Sequence, residues 1–252
     1  MDLQLEGRRA VVTGAGSGIG ASIAKCLARE GVRLVLSAFG QAGLEQVARE
    51  IVAGGAPEPL LLPGDLTHSD GIQILAQEVA DALGGVDIIA NCVGSSRPTH
   101  LDETEAFWEE AMALNFSAAR RLTHALLPAL RAQQFGRIIN ISGSMEPRSL
   151  NAASAAKGAL HLWAKGLACE LAAQGITVNC IAPGRINSVQ TLTRLHPTEE
   201  SRRQFVAGHI PIGRFGEPHE VAVVATFLAS PLASYVTGAV IPVDGGMHYF
   251  AH

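Results

Sequence analysis

The run Arg9-Ala10-Val11-Val12-Thr13-Gly14-Ala15-Gly16-Ser17-Gly18-Ile19-Gly20 decides how the rest of the chain is read. Its first five residues form a short apolar, β-type segment. It then passes through a cluster of glycines, after which Ile19 to Glu30 repeats apolar residues at helical spacing. The run therefore reads as strand, tight turn and helix. Glycines in such a turn let the backbone approach a pyrophosphate, and the free N–H groups and dipole of the helix N-terminus favour that anion. A glycine-rich turn alone can bind nothing, so it carries weight only where strands and helices continue to alternate beyond it.

The same unit recurs along the chain. Apolar strand-like runs lie at Arg33 to Leu36, Leu60 to Leu62, Val86 to Asn91, Arg137 to Ile141 and Ile176 to Ile181. Helical patterns separate them at Leu44 to Val52, Ile72 to Leu83, Glu105 to Arg131 and Ala152 to Ala173. Alternation of this kind predicts an α/β fold, a doubly wound parallel sheet of Rossmann type with helices on both faces. An irregular stretch, Arg185 to Arg214, precedes a helix near Pro218 to Ala229 and a last strand near Ala239 to Val243. With no linker, repeat or low-complexity tract, residues 1–252 are expected to form one domain, with 185–214 as its substrate lid.

Composition narrows the function. Of 252 residues, 48% are hydrophobic and 17% charged, which excludes a disordered or collagen-like chain. The formal charge is −4 and the pI about 6.1, so nucleic acid is not an expected partner. The longest apolar stretch, Val221 to Ala229, is about half of what a bilayer crossing needs, so no membrane association is expected. The start lacks a basic region and apolar core of signal type. The cysteines (Cys26, Cys92, Cys169, Cys180) form no CxxC pair, so a cytoplasmic protein without a metal site is expected.

The Gly14-x-x-x-Gly18-x-Gly20 spacing resembles that of the short-chain dehydrogenases/reductases, and further matches run nearly the whole chain. They are Asp65-Leu66-Thr67, Asn91-Cys92-Val93-Gly94, Asn115, Lys157, Pro183-Gly184-Arg185-Ile186, and Val236-Thr237-Gly238 to Asp244-Gly245-Gly246. The resemblance implies a seven-stranded sheet, an NAD(P) cofactor, a small-molecule substrate and a homotetramer. Asp65 and Leu66 would border the adenine, although Asp65 could equally cap the next helix. Asn91, Val93 and Gly94 would line the ribose, Lys157 would contact the nicotinamide ribose, and the segment from Pro183 through Gly184 and Ile186 to Ser188 would wrap the nicotinamide. Asn91-Cys92-Val93-Gly94 departs from the family's usual Asn-Asn-Ala-Gly.

The second strand ends Ser37-Ala38-Phe39-Gly40, with neither the acid that would bind an NAD ribose hydroxyl nor a base for the NADP phosphate. Ser37 and Ser17 are the polar candidates there, and the absence of a repelling carboxylate tips the expectation slightly to NADP.

The proton donor departs most. Carbonyl reduction needs an acid at the oxygen, which in this family is the Tyr of a YxxxK motif. Lys157 matches the Lys, but Ala153 stands four residues before it, and the only tyrosines are Tyr235 and Tyr249 near the C-terminus. The family's catalytic Ser aligns with Gly143, between Ser142 and Ser144. Three readings stay open: hydride chemistry on a carbonyl, alcohol or enoyl substrate with Ser144, Ser142, Lys157 or a water held by Lys157 and Asn115 supplying the proton; a dinucleotide-binding pseudoenzyme; or a lyase or isomerase on the same scaffold. His161 shares a helix face with Ala153 and Lys157 and is expected to pack between helices. The 185–214 stretch carries five arginines against two glutamates, and Arg148 adds another in the shortened loop. An anionic substrate such as a keto acid or acyl thioester is expected, with Arg185 and Arg148 as its contacts, against the plainer reading of surface ion pairs.

Overall fold

The computed structural model describes residues 1–144, 146–147 and 149–249. Seven parallel strands, β1 (Arg9–Thr13), β2 (Arg33–Ala38), β3 (Leu60–Pro63), β4 (Ile88–Asn91), β5 (Gly136–Ile141), β6 (Ile176–Pro183) and β7 (Val240–Val243), lie in the order β3-β2-β1-β4-β5-β6-β7. The register pairs Val11 with Val35 on one side and with Ile89 on the other. Both faces are covered, which is why the central strands read as unbroken apolar runs. Helices α1 (Gly18–Arg29), α2 (Gln41–Ala53) and α8 (Pro218–Ala229) close one core, built around Leu27, Leu36 and Ile139. On the opposite face α3 (Ser69–Leu83), α5 (Ala118–Ala132) and α6 (Ala152–Leu171) close the second, around Ile89, Leu122 and Ile138. Strand order reverses between β1 and β4, and in such sheets ligands bind in the crevice beyond the strand ends at that point.

Two segments differ from the sequence reading. The long helix expected from Glu105 to Arg131 is broken into α4 (Glu105–Met112), a π-helical turn (Ala113–Ser117) and α5. The cause is Asn115, whose side-chain Nδ2 donates to the Ala111 carbonyl at 3.0 Å and to Ser95 O at 3.0 Å, displacing the regular i to i−4 ladder. The stretch after Arg185 is more regular than expected. It holds a π-helical turn (Thr191–Leu195) and then α7 (Glu199–His209), capped by the Thr198 hydroxyl, which accepts from Ser201 N.

A buried ion pair ties the N-terminal ends of β1 and β4. Asp87, 4% exposed, accepts from Arg9 N at 2.9 Å and from its guanidinium Nε and Nη2 at 2.8 and 3.1 Å. Arg9 is partly exposed and also donates to Gly84 O and Gln133 Oε1, so losing Asp87 leaves it partly satisfied and costs less than a fully buried pair, about 1 to 2 kcal/mol. Asp87→Ala should lower the unfolding free energy by about that amount in a urea titration, with an unchanged m-value.

Candidate active site

The crevice is a single cavity of about 1080 Å³ that runs from the glycine turn, past the ends of β4 and β5, to α7. Its first end is shaped by backbone contact. Gly14 sits at φ +61°, where a side chain would also meet Cys92 O at 2.9 Å, and a Cβ on Gly20 would lie 2.3 Å from Gly14 O. Ser17 occupies the N-cap of α1 in an extended conformation without capping it, and the first turn of α1 carries no acid. Unpaired helix N–H groups and an uncommitted hydroxyl thus face the space that Gly16, Gly18 and Ile19 line. That is the cradle a dinucleotide pyrophosphate requires, and these residues fit it.

Asp65 and Leu66 line the same end. The Asp65 carboxylate also accepts from Thr67 N at 2.8 Å and Thr67 Oγ1 at 2.7 Å, which hold it below the usual carboxylate range, so the turn-forming role coexists with a place on the wall. Two expected residues are not there. Ser37 is buried in β2, away from the cavity, because strand alternation turns its neighbour Ala38 outward instead, and Ala38 and Phe39 form that wall. Asn91 points into the core, where its Nδ2 donates to Thr123 Oγ1 and Asn140 Oδ1 at 3.1 and 2.9 Å; Cys92, Val93 and Gly94 carry the wall beyond β4.

Further along, Asn115, Lys157, Ala153, Ser142 and Ser144 line the same cavity, as do Pro183, Gly184 and Ile186. Asn115 Oδ1 accepts from Ser95 N at 3.1 Å, so both ends of its amide pin the Gly94–Ser95 loop. Gly94 has to be small, since its Cβ would fall 2.9 Å from Asn115 Oδ1 and 3.0 Å from Lys157 Nζ. Ser142 is spent on structure, donating to Ile181 O at 2.9 Å. Ser144 Oγ accepts from Glu146 N at 3.1 Å and keeps its own proton to give. Lys157 Nζ donates to Ile141 O at 2.7 Å. No other hydrogen bond to a described residue uses its remaining N–H groups, and no described carboxylate pairs with it. Burial pushes its pKa down from 10.5 to about 8, offset in part by the Cys180 and Cys92 thiols. His161 lies off the cavity wall, buried, its imidazole pushed down to about 4 by burial and by Lys157.

At the far end Arg185 lines the cavity, its guanidinium pulled down by burial. Arg203 and Arg214 instead form surface pairs with Glu200 and Glu220, as the plainer reading expected, and Arg148 lies outside the described residues. Phe205, His209 and Met247 complete this wall. Sequence reading missed the first two because α7 is short and mostly polar; the only signal was Phe205 and His209 at i and i+4.

The sequence profile described as Enoyl-(Acyl carrier protein) reductase matches residues 14–248. The chain belongs to the short-chain dehydrogenase/reductase family. It is 38% identical over 250 residues to galactitol 2-dehydrogenase (L-tagatose-forming) of Cereibacter sphaeroides, covering 96% of each chain. It is 34% identical to the 3-oxoacyl-(acyl-carrier-protein) reductase of Vibrio cholerae, covering 98% of this chain and 99% of that one. The structure of L-sorbose reductase from Gluconobacter frateurii, complexed with NADPH and L-sorbose, superposes with a TM-score of 0.93 at 31% identity, covering 99% and 100% of the two chains. The chain is thus an NAD(P)-dependent oxidoreductase of short-chain type with the family's seven-stranded sheet. Among the described residues, no helix is long and apolar enough to cross a membrane.

An ammonium buried without a carboxylate destabilises the fold. Lys157 holds fewer protons folded than unfolded between pH 8 and 10.5, so its cost is full below about pH 8 and fades as pH rises toward 10.5. Lys157→Met should therefore raise the melting temperature at pH 7, and the gain should shrink at pH 10.

Proposed function

We propose that this short-chain oxidoreductase interconverts a small carbonyl compound and its alcohol with NADP(H), and that Lys157 serves at the oxygen where relatives of the family use Tyr. The observation that carries this reading is the pairing of Ala153 with Lys157 on one face of α6, both on the cavity wall. Ala153 places only a methyl group before the ammonium, which has donors to spare. Bound reduced nicotinamide supplies hydride to the carbonyl carbon. Lys157 Nζ gives a proton to the carbonyl oxygen, is left as the neutral amine, and regains a proton from solvent. Ser144 donates a hydrogen bond to the developing oxyanion. Asn115 acts one step back, by holding the Gly94–Ser95 loop against Lys157.

Binding of the cofactor falls to the glycine turn and Ser17 for the pyrophosphate, Asp65 and Leu66 at the adenine, Val93, Gly94 and Lys157 at the ribose, and Pro183, Gly184 and Ile186 at the nicotinamide. Preference for NADP is supported by the wall at Ala38 and Phe39, which puts no carboxylate against a 2′-phosphate. Arg185 is read as the contact for a negative group on the substrate. We read the chain as one domain, its 185–214 segment covering the substrate end, and as a homotetramer in the cytoplasm; light scattering at micromolar concentration tests the assembly.

Two measurements test the chemistry. Fluorescence titration should give micromolar affinity for NADPH, tighter than for NADH; affinity for neither below about a millimolar, some 4 kcal/mol, points instead to a non-redox protein. In the reductive direction kcat/KM should fall as pH rises through about 8, where the donor loses its proton. Lys157→Ala should cost about 10² to 10⁴-fold, with recovery by added alkylammonium ions that grows with their acidity. Ala153→Tyr should abolish the dependence on those amines by restoring a phenol.

A further inference from the structure

The substrate end of the cavity contains a guanidinium that is held in place but not neutralised. Arg185 comes directly after the Pro183-Gly184 turn at the end of β6 and lines the cavity. Its Nε donates to His196 Nε2 at 3.2 Å, and its guanidinium carbon lies 4.9 Å from the centre of the Phe205 ring. No described carboxylate pairs with it, and none of its terminal nitrogens has a protein acceptor among the described residues. Such a group, half-buried and drawn below its usual pKa by burial, is costly to keep unless something else meets its free edge.

His196 is built to serve Arg185. A guanidinium has no lone pair, so His196 Nε2 is the acceptor of their bond, which places the imidazole proton on Nδ1. Nδ1 in turn faces Ser201 Oγ at 3.1 Å, and burial, with the charges of Arg185, Arg202 and His209, lowers the pKa of the imidazole. The ring packs against Phe205 at 4.6 Å and Phe215 at 5.5 Å. Ser201, His196 and Arg185 thus form a chain that fixes the guanidinium plane and consumes its Nε, while Phe205 supports its face. The pair of terminal nitrogens is left without an acceptor among the described residues.

We infer that Arg185, oriented by His196, is a docking site for a single carboxylate on an otherwise apolar substrate. The inference rests on the oxidoreductase reading above and adds the class of compound. A planar two-nitrogen edge matches a carboxylate with two parallel hydrogen bonds. One positive charge beside a neutral imidazole balances one negative charge, and falls short of a phosphate dianion. Phe205, Leu195, Val189 and Met247 supply apolar wall to the same cavity, beside Ser188, Gln190 and Thr191, and His209, stacked on Phe205 at 4.5 Å, turns Nδ1 back to the Phe205 carbonyl at 3.0 Å. His196 is a positioning residue, acting through Arg185.

The test uses the whole protein and needs no turnover. Benzoate, its neutral analogue benzamide and inorganic phosphate are titrated by calorimetry, with NADPH titrated into the same samples. Benzoate should bind at least tenfold more tightly than benzamide, and phosphate should not displace it at equal concentration. Arg185→Met should erase the preference for benzoate. His196→Phe, which keeps a ring but cannot accept from Nε, should weaken benzoate at least fivefold, whereas His196→Gln, whose amide oxygen can accept, should stay within about twofold of the parent. NADPH affinity should be unchanged in all three. Equal binding of benzoate and benzamide, or displacement by equimolar phosphate, overturns the assignment on the parent protein alone, whatever the variants do. Equal losses in the two His196 variants overturn the positioning role. Failure of NADPH to bind would sink the oxidoreductase reading and leave the benzoate result standing.

Discussion

Everything at the site depends on how closely β1 and α1 meet. The space a Cβ of Gly20 would need is occupied by the Gly14 carbonyl, 2.3 Å away, so the first turn of the helix packs directly on the glycine turn that leaves the strand. That contact brings the unpaired N–H groups of α1 to the crevice where strand order reverses. The neighbouring strands deliver the rest in register. β4 ends in the Cys92–Gly94 wall, β5 ends in the Ile141 carbonyl that holds Lys157, and β6 ends in the turn that presents Arg185. A side chain at position 20 would have to push α1 outward, and the anion cradle would lose its floor while the sheet itself could persist.

Lys157 shows what this architecture asks of a single residue. In a buried position with one carbonyl partner, an ammonium is unfavourable, and the drop of its pKa to about 8 expresses that cost. A methionine would pack there more cheaply. Under the chemistry proposed above, keeping a lysine next to an alanine that leaves its face open would serve a proton that can leave near neutral pH. Proton donors work best when their pKa lies close to the operating pH, so in that proposal the desolvation that costs stability would also suit the group to general acid catalysis.

The sheet and the glycine turn were legible in the sequence because each has a one-dimensional signature, apolar runs and glycines at fixed spacing, whereas Asn115, Lys157 and Pro183–Ile186 came from the resemblance to the family's motifs. What escaped it depends on which way a side chain points. Ser37 and Ala38 are adjacent in β2, and only the pleat decides that Ala38 faces the cavity. Asn91 is polar at a strand end, which suggests a ligand, yet it satisfies Asn140 and Thr123 across the core. The break at Asn115 arises from a side-chain bond to Ala111 that composition cannot show. The role of His196 needed three dimensions, since its partners Arg185 and Phe215 lie 11 and 19 residues away along the chain.

Two cations of the cavity wall, Lys157 and Arg185, have no carboxylate partner among the described residues, and burial draws each below its usual pKa, Lys157 to about 8. Each desolvated charge is costly in the empty cavity, so a ligand group that meets either one recovers part of what burial takes from the fold.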